Sequence, residues 1–156
     1  MKCFCYIIFK FILVFWSKEY FYPGCRIFTD LINNDNRIDK SLLVAKYGEL
    51  PTEPNAQNTL WYRIFKKYEF DSMIFESHRN FLISRDLTGL SFLSFIIYGA
   101  MAIVSMFVYD ISIKRFLFYI IFLLCQYLLL VVVSRNYGER FACNVIAKEC
   151  CSVKGS

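Results

Sequence analysis

The chain has 156 residues, enough for one domain, and carries a formal net charge of +5. Hydrophobic residues make up 57% of it and aromatics 19%, with a mean hydropathy of +0.41, above the usual apolar content of water-soluble domains. That balance argues against a soluble domain, which would need long uncharged helices in its core and has little other chain to cover them.

Cys3 to Trp16 (CFCYIIFKFILVFW) is the first apolar run, about 21 Å long as a helix and interrupted by Lys10. A short spanning helix whose lysine snorkels, a helix lying in the interface, and a signal peptide all fit it. The following SKEYFYPG offers no small-residue cleavage site, so the preferred reading is an N-terminal hydrophobic (signal-anchor) helix over residues 1–18, N-terminus outside.

Residues 19–86 read as a small helical cytoplasmic segment. Pro23-Gly24 signals a turn, and Tyr20, Phe21 and Tyr22 suit an interface anchor. Asp39 is expected to cap a helix Lys40 to Tyr47 that Gly48 stops. Glu49 to Asn58, with Pro51 and Pro54, reads as a connector. Thr59 to Phe81 then reads as one amphipathic helix with Leu60, Ile64, Phe65, Tyr68, Ser72 and Phe75 inward. The segment from Ser17 to Asp86 carries ten basic and ten acidic residues, and looks too small for a deep catalytic core of its own.

Residues 87–134 form the centre of the reading. Leu87 to Tyr109 is 23 residues without a formal charge, and Phe116 to Val133 is 18 residues with Gln126 as its one strongly polar side chain. As helices they measure about 34 and 27 Å, against a hydrocarbon core of roughly 30 Å. With the break at Asp110 to Arg115 they read as a transmembrane hairpin of helices 87–109 and 116–133. Residues 135–156 follow as a cytoplasmic tail. The expected fold class is therefore an all-α membrane protein: a C-terminal transmembrane helical hairpin, an N-terminal hydrophobic helix, and a small helical cytoplasmic segment between them.

Orientation follows from the basic residues. Lys66, Lys67, Arg79 and Arg85 precede the first long run, and Arg135, Arg140, Lys148 and Lys154 follow the second, whereas only Lys114 and Arg115 lie between them. The positive-inside bias puts the flanks in the cytoplasm and the turn outside. A basic rim beside a bilayer attracts anionic headgroups, so the charge does not call for a nucleic-acid partner.

Little in the sequence can carry chemistry. His78 is the one histidine, set between Glu76 and Arg79 near the membrane surface, where an ordinary interface residue is the simpler reading. Seven cysteines occur, an odd number without a CxxC pair, so neither a zinc site nor a redox motif is indicated, and no cofactor or metal is expected. Cys150-Cys151 could be lipidated but reads more simply as tail. Ser91, Ser94, Tyr98, Ala102 and Ser105 share one stripe of the first long run, a candidate helix-packing face that Gln126 of the second could join. Asp86 is placed at that helix's N-terminus, where the dipole favours a carboxylate. The best candidate site is a polar cluster at the cytoplasmic ends of the hairpin: Arg79, Asn80, Arg85, Asp86, Arg135, Asn136, Glu139 and Arg140. Asn136 and Glu139 are expected to hydrogen-bond back to Arg79, Asn80 or Arg85.

Several stretches carry a resemblance. They are Pro23-Gly24-Cys25-Arg26 with Thr29-Asp30, Leu50-Pro51-Thr52, Arg85-Asp86-Leu87-Thr88-Gly89-Leu90, and Arg135-Asn136-Tyr137-Gly138-Glu139-Arg140-Phe141 running to Asn144-Val145-Ile146-Ala147. Together they resemble a group of small uncharacterised bacterial inner-membrane proteins, in which Asn more often stands at the place of Asp86 and Gly at that of Cys25. The resemblance implies a multi-pass protein of the bacterial inner membrane, supplies no activity, and adds weight to the polar cluster. The functional expectation is a non-enzymatic integral membrane protein acting by helix–helix assembly, as an effector or an anchor. Its partners would be the bilayer, a second copy or a cytoplasmic protein. The alternative is an accessory subunit of a transporter or membrane enzyme complex.

Overall fold

The computed structural model describes residues 22–109 and 113–154. The N-terminal apolar run, and with it the expected signal-anchor helix, lies outside the described residues, as do residues 110–112 of the turn. The described chain is all-helical, with no strand among the described residues. Two 3-10 turns, Pro23–Arg26 and Leu31–Asn34, lead into α1 (Lys40–Tyr47), α2 (Pro54–Lys67), α3 (Ser72–Tyr109) and α4 (Ile113–Lys154).

Helix α1 has the predicted punctuation. The Asp39 carboxylate accepts from Ser41 N–H at 3.0 Å, and Gly48, at φ 76°, donates its N–H to Val44 O at 2.9 Å. Helix α2 starts at Pro54, earlier than the expected Thr59. Proline costs nothing at a first helical position, and the Glu53 side chain accepts from Ala56 N–H at 2.7 Å.

The expected single helix to Phe81 is broken. Tyr68 closes α2, and Asp71 opens a new one by accepting from Met73 N–H at 3.1 Å. The interruption resets the helical phase. Phe75 is consequently 58% exposed, where the repeat had placed it inward, while Ile74 and Phe81 are buried.

No boundary separates the expected cytoplasmic segment from the expected span. Helix α3 runs from Ser72 without a break, so Asp86 sits in mid-helix and not at an N-terminus as expected. Likewise α4 continues past Ser134, and the expected tail is helix as far as Lys154. No proline or capping residue interrupts either stretch, and a change of solvent does not by itself end a helix. At 38 and 42 residues the helices are about 57 and 63 Å long, roughly twice a hydrocarbon core.

The pair is antiparallel. Ser77 meets Asn144, Phe81 stacks on Phe141, the Thr88 hydroxyl reaches Leu130 O, and Phe92 tilts against Tyr127. At one end α1, α2 and the 3-10 turns pack on the helices to make a head. Its core joins Ile27, Phe28 and Leu43 to Trp61, Ile64 and Phe65, and these to Ile74, Phe81, Phe141, Val145 and Ile146. At the other end the surface is apolar: Phe107 is 87% exposed, and Phe118, Leu129 and Val104 are exposed on the same length of the rods. Only 11% of the most apolar window of each helix is buried, and both helices are long and apolar enough to cross a membrane.

Candidate functional site

The predicted polar residues form a band around the neck between head and apolar belt. They do not converge on one constellation. Arg79, Asn136 and Arg140 are exposed, while Asn80, Arg135 and Glu139 are half-buried. Arg85 donates from Nε and Nη2 to its neighbour Asp86, at 3.1 and 3.0 Å, with its side chain only 14% exposed. The antiparallel register sets Arg85 and Arg135 at one height and Arg79 and Arg140 at another, nearer the head.

Glu139 does not bond back to α3, as expected of it. Its carboxylate takes Arg26, which also reaches Asp30 at 3.6 Å, so that the first 3-10 turn is strapped to α4. Nearer the head, Asn144 crosses from α4 to α3, donating to the Ser77 hydroxyl at 2.9 Å. A partner so far away in sequence carries no local signal.

The predicted packing face is placed only in part. Ser91 is buried; Ser94, Ala102 and Ser105 are half-buried; Tyr98 is exposed. Gln126 is also exposed and stands outside the seam, contrary to the expectation that it joins this face. The seam is set closer to the head, with Ser84, Thr88 and Ser91 on α3 and Tyr127, Val131, Ser134 and Gly138 buried on α4. The Thr88 hydroxyl lies 2.9 Å from Ser84 O and 3.0 Å from Leu130 O, tying the helices across the contact. Ser134 Oγ is fully buried and has no hydrogen-bond partner.

The most developed polar arrangement was not singled out in the sequence. Glu149 on α4 is fully buried. Its Oε1 accepts from Lys46 Nζ at 2.5 Å and Tyr47 OH at 2.6 Å, and Oε2 accepts from Lys67 Nζ at 3.0 Å. Tyr68 OH donates to Ser152 Oγ at 2.7 Å, and Ser152 donates back to the Glu149 carbonyl at 3.1 Å. The ends of α1 and α2 thus close on one carboxylate of α4. Burial pushes the Glu149 carboxyl up, but donation from Lys46, Tyr47 and Lys67 outweighs it and holds the group at about 2. Burial and the adjacent carboxylate raise the Tyr47 phenol, and the bonds to Tyr68 and Glu149 raise Lys67. A carboxylate held so low neither gives nor takes a proton near neutral pH. Its work here is to join three helices. One signal existed: Ala142, Val145, Ile146, Glu149 and Cys150 repeat at helical spacing, which marks 135–154 as packed helix.

His78 is part of the head's aromatic packing. It stacks on Phe141 at 4.9 Å with 19° between the rings and meets Phe65 edge-on at 5.4 Å. Burial, and then the Arg85 charge, lower its pKa, which favours the neutral imidazole. Beside it a cleft of about 370 Å³ lies between α2 and the long helices, with Asn58, Trp61, Tyr62, His78 and Arg85 on its wall. Cys25, Cys143 and Cys150 are buried, and burial raises all three thiols, Cys143 to about 11, so they stay protonated and unreactive. Cys125 and Cys151 are exposed. No cluster of metal-ligating side chains occurs among the described residues.

Fold and site together define an all-helical protein with two helices long and apolar enough to cross a membrane and a compact head on one end of them. In comparison with known proteins, the chain matches no family model, no curated protein and no solved structure.

Proposed function

We propose that the chain is a non-enzymatic integral protein of the bacterial inner membrane that anchors its helical head at the cytoplasmic surface and acts by assembly with a partner. The observation that carries this reading is the belt of exposed apolar side chains on α3 and α4, of which so little is covered within the chain. In water such a surface far exceeds what single soluble proteins leave open, whereas in hydrocarbon it costs nothing. The cytoplasmic orientation rests on the basic residues, of which only Lys114 and Arg115 stand between the two apolar runs. Ser94, Ala102 and Ser105, half-buried beyond the tight part of the seam, suit close approach of another helix.

An anchor is favoured over a bilayer-perturbing effector because both helices continue as rigid rods into the head. From Leu87 back to Ser72 is about 22 Å of helix. At that far end Phe70 is 93% exposed and Met73 lies exposed beside it, an apolar tip held off the bilayer and suited to a protein partner. The test is labelling by a membrane-impermeant thiol reagent in intact cells, with single cysteines at positions 40 and 112 in a cysteine-free background. Labelling at 112 alone is expected. Labelling at 40 alone inverts the orientation, and release of the protein by alkaline carbonate removes the integral reading altogether.

A further inference from the structure

We propose that the cleft between α2 and the neck of α3 is the binding site for an anionic phospholipid of the cytoplasmic leaflet, its phosphate drawn to Arg85 and its headgroup lying against the ring walls of Trp61 and Tyr62. The inference rests on the membrane reading above and goes beyond it by naming a ligand and its place.

Position carries the first part. Along α3 the cleft wall runs from His78 through Phe81 and Leu82 to Arg85, about 10 Å of helix. Leu87 and Leu90, the next positions up the helix, are exposed and begin the apolar belt. The cleft therefore sits at the belt's lower edge, in the layer roughly 5–8 Å deep that headgroups occupy on one side of a hydrocarbon core. A bilayer bathes this place in lipid headgroups whatever else is in solution.

Chemistry carries the second part. The walls are mostly aromatic, with Asn58 and Tyr62 adding side-chain donors. His78 is held toward its neutral form, so the positive charge on the wall is that of Arg85. Asp86 fixes the Arg85 guanidinium through Nε and Nη2, which orients it in advance, and Arg135 lies at the same height on α4. Bidentate geometry makes arginine the natural partner of a phosphate. The head carboxylates Glu139 and Glu69 are engaged elsewhere, with Arg26 and Lys66, while Asp86 is paired with Arg85 itself, so a phosphate would join that ion pair and share the guanidinium with it.

The full-length protein tests this in nanodiscs of equal parts phosphatidylglycerol and phosphatidylcholine. A photoreactive benzoylphenylalanine replaces Tyr62 on the cleft rim or, as control, Leu129 in the apolar belt, and the adducts are identified by mass. Phosphatidylglycerol should be enriched over phosphatidylcholine at position 62 and not at 129. Arg85→Gln should reduce that enrichment about five-fold, the equivalent of about 1 kcal/mol per arginine at an anionic surface, while Arg85→Lys retains most of it. Equal lipid ratios at both positions overturn the site, as does capture of the chain's own residues 1–21 at position 62. Absence of any lipid adduct at 129 overturns the membrane reading beneath it.

Discussion

The carboxylate of Glu149 lies 3.0 Å from the ammonium of Lys67, and with Lys46 on its other oxygen it locks the last turns of α4 to the ends of α1 and α2. Because its folded pKa of about 2 lies below the ordinary 4.5, the carboxylate stabilises the head fully above pH 4.5. That contribution is lost as pH falls toward 2, and the gap corresponds to about 3 kcal/mol. The expected outcome is a wild-type protein that loses this much more stability than Glu149→Gln across that window, followed by thermal unfolding in detergent. Other carboxylates titrate alike in both proteins and cancel in the difference. Equal pH profiles would show that the clamp carries no net stability.

At neutral pH, Glu149→Ala leaves two lysines facing a buried void. Lys46 and Lys67 are partly exposed and can turn to water, so the cost stays below that of a wholly buried broken pair, at about 2–3 kcal/mol. Trypsin reads the same event locally. Cleavage after Lys46 and Lys67 should accelerate in the variant, while cleavage after Arg37, which pairs with Asp35 at 2.6 Å outside the clamp, should not.

Gly24 illustrates a tight contact on the N-terminal side of the head. A Cβ there would stand 2.6 Å from Asn58 Oδ1 and 2.9 Å from Trp61 Cε3. Asn58 can swing away; Trp61 cannot, since it is buried and donates from Nε1 to Ala142 O at 3.2 Å. Gly24→Ala should therefore cost about 1–3 kcal/mol through displacement of the 3-10 turn. Gly48→Ala meets no neighbour and should cost about 1 kcal/mol through its positive φ alone. Tryptophan emission should shift in the first variant and stay constant in the second.

The parts of this molecule that could be read from its sequence are those set by local chemistry or by solvent. The two apolar runs stand out because each is apolar around most of its circumference over a length that could cross a membrane, and Asp39 and Gly48 mark α1 because caps act within four residues. What escaped depends on phase or on distant partners. Asp71, an unremarked cap, restarts the helix and turns Phe75 outward, and no window that bridges Tyr68 to Asp71 as continuous helix places it correctly. The pairing of Glu139 with Arg26 and the clamp on Glu149 join positions about a hundred residues apart in sequence, which periodicity does not reach. The neck cluster was legible as a band of charge beside the apolar runs; which charges pair was not. The phase slip is itself measurable. Phe141→Ala, at the centre of the aromatic core, should cost about 3–5 kcal/mol, whereas Phe75→Ser should stay within about 0.5 kcal/mol of wild type.

Ser134 and Thr88 face the same seam with opposite consequences. Both side chains are fully buried. The Thr88 hydroxyl ties α3 to the Leu130 carbonyl of α4, so Thr88→Val, which keeps the volume, should cost about 1 kcal/mol. Ser134 Oγ has no partner and bears its desolvation uncompensated, so Ser134→Ala should be neutral or stabilise by up to about 1 kcal/mol. Interhelical hydrogen bonds average about 0.6 kcal/mol in membranes, so the difference in sign between the two variants is the decisive quantity, more than either magnitude. Unfolding in mild detergent provides it. If Ser134→Ala is as destabilising as Thr88→Val, the Ser134 hydroxyl is bonded in solution.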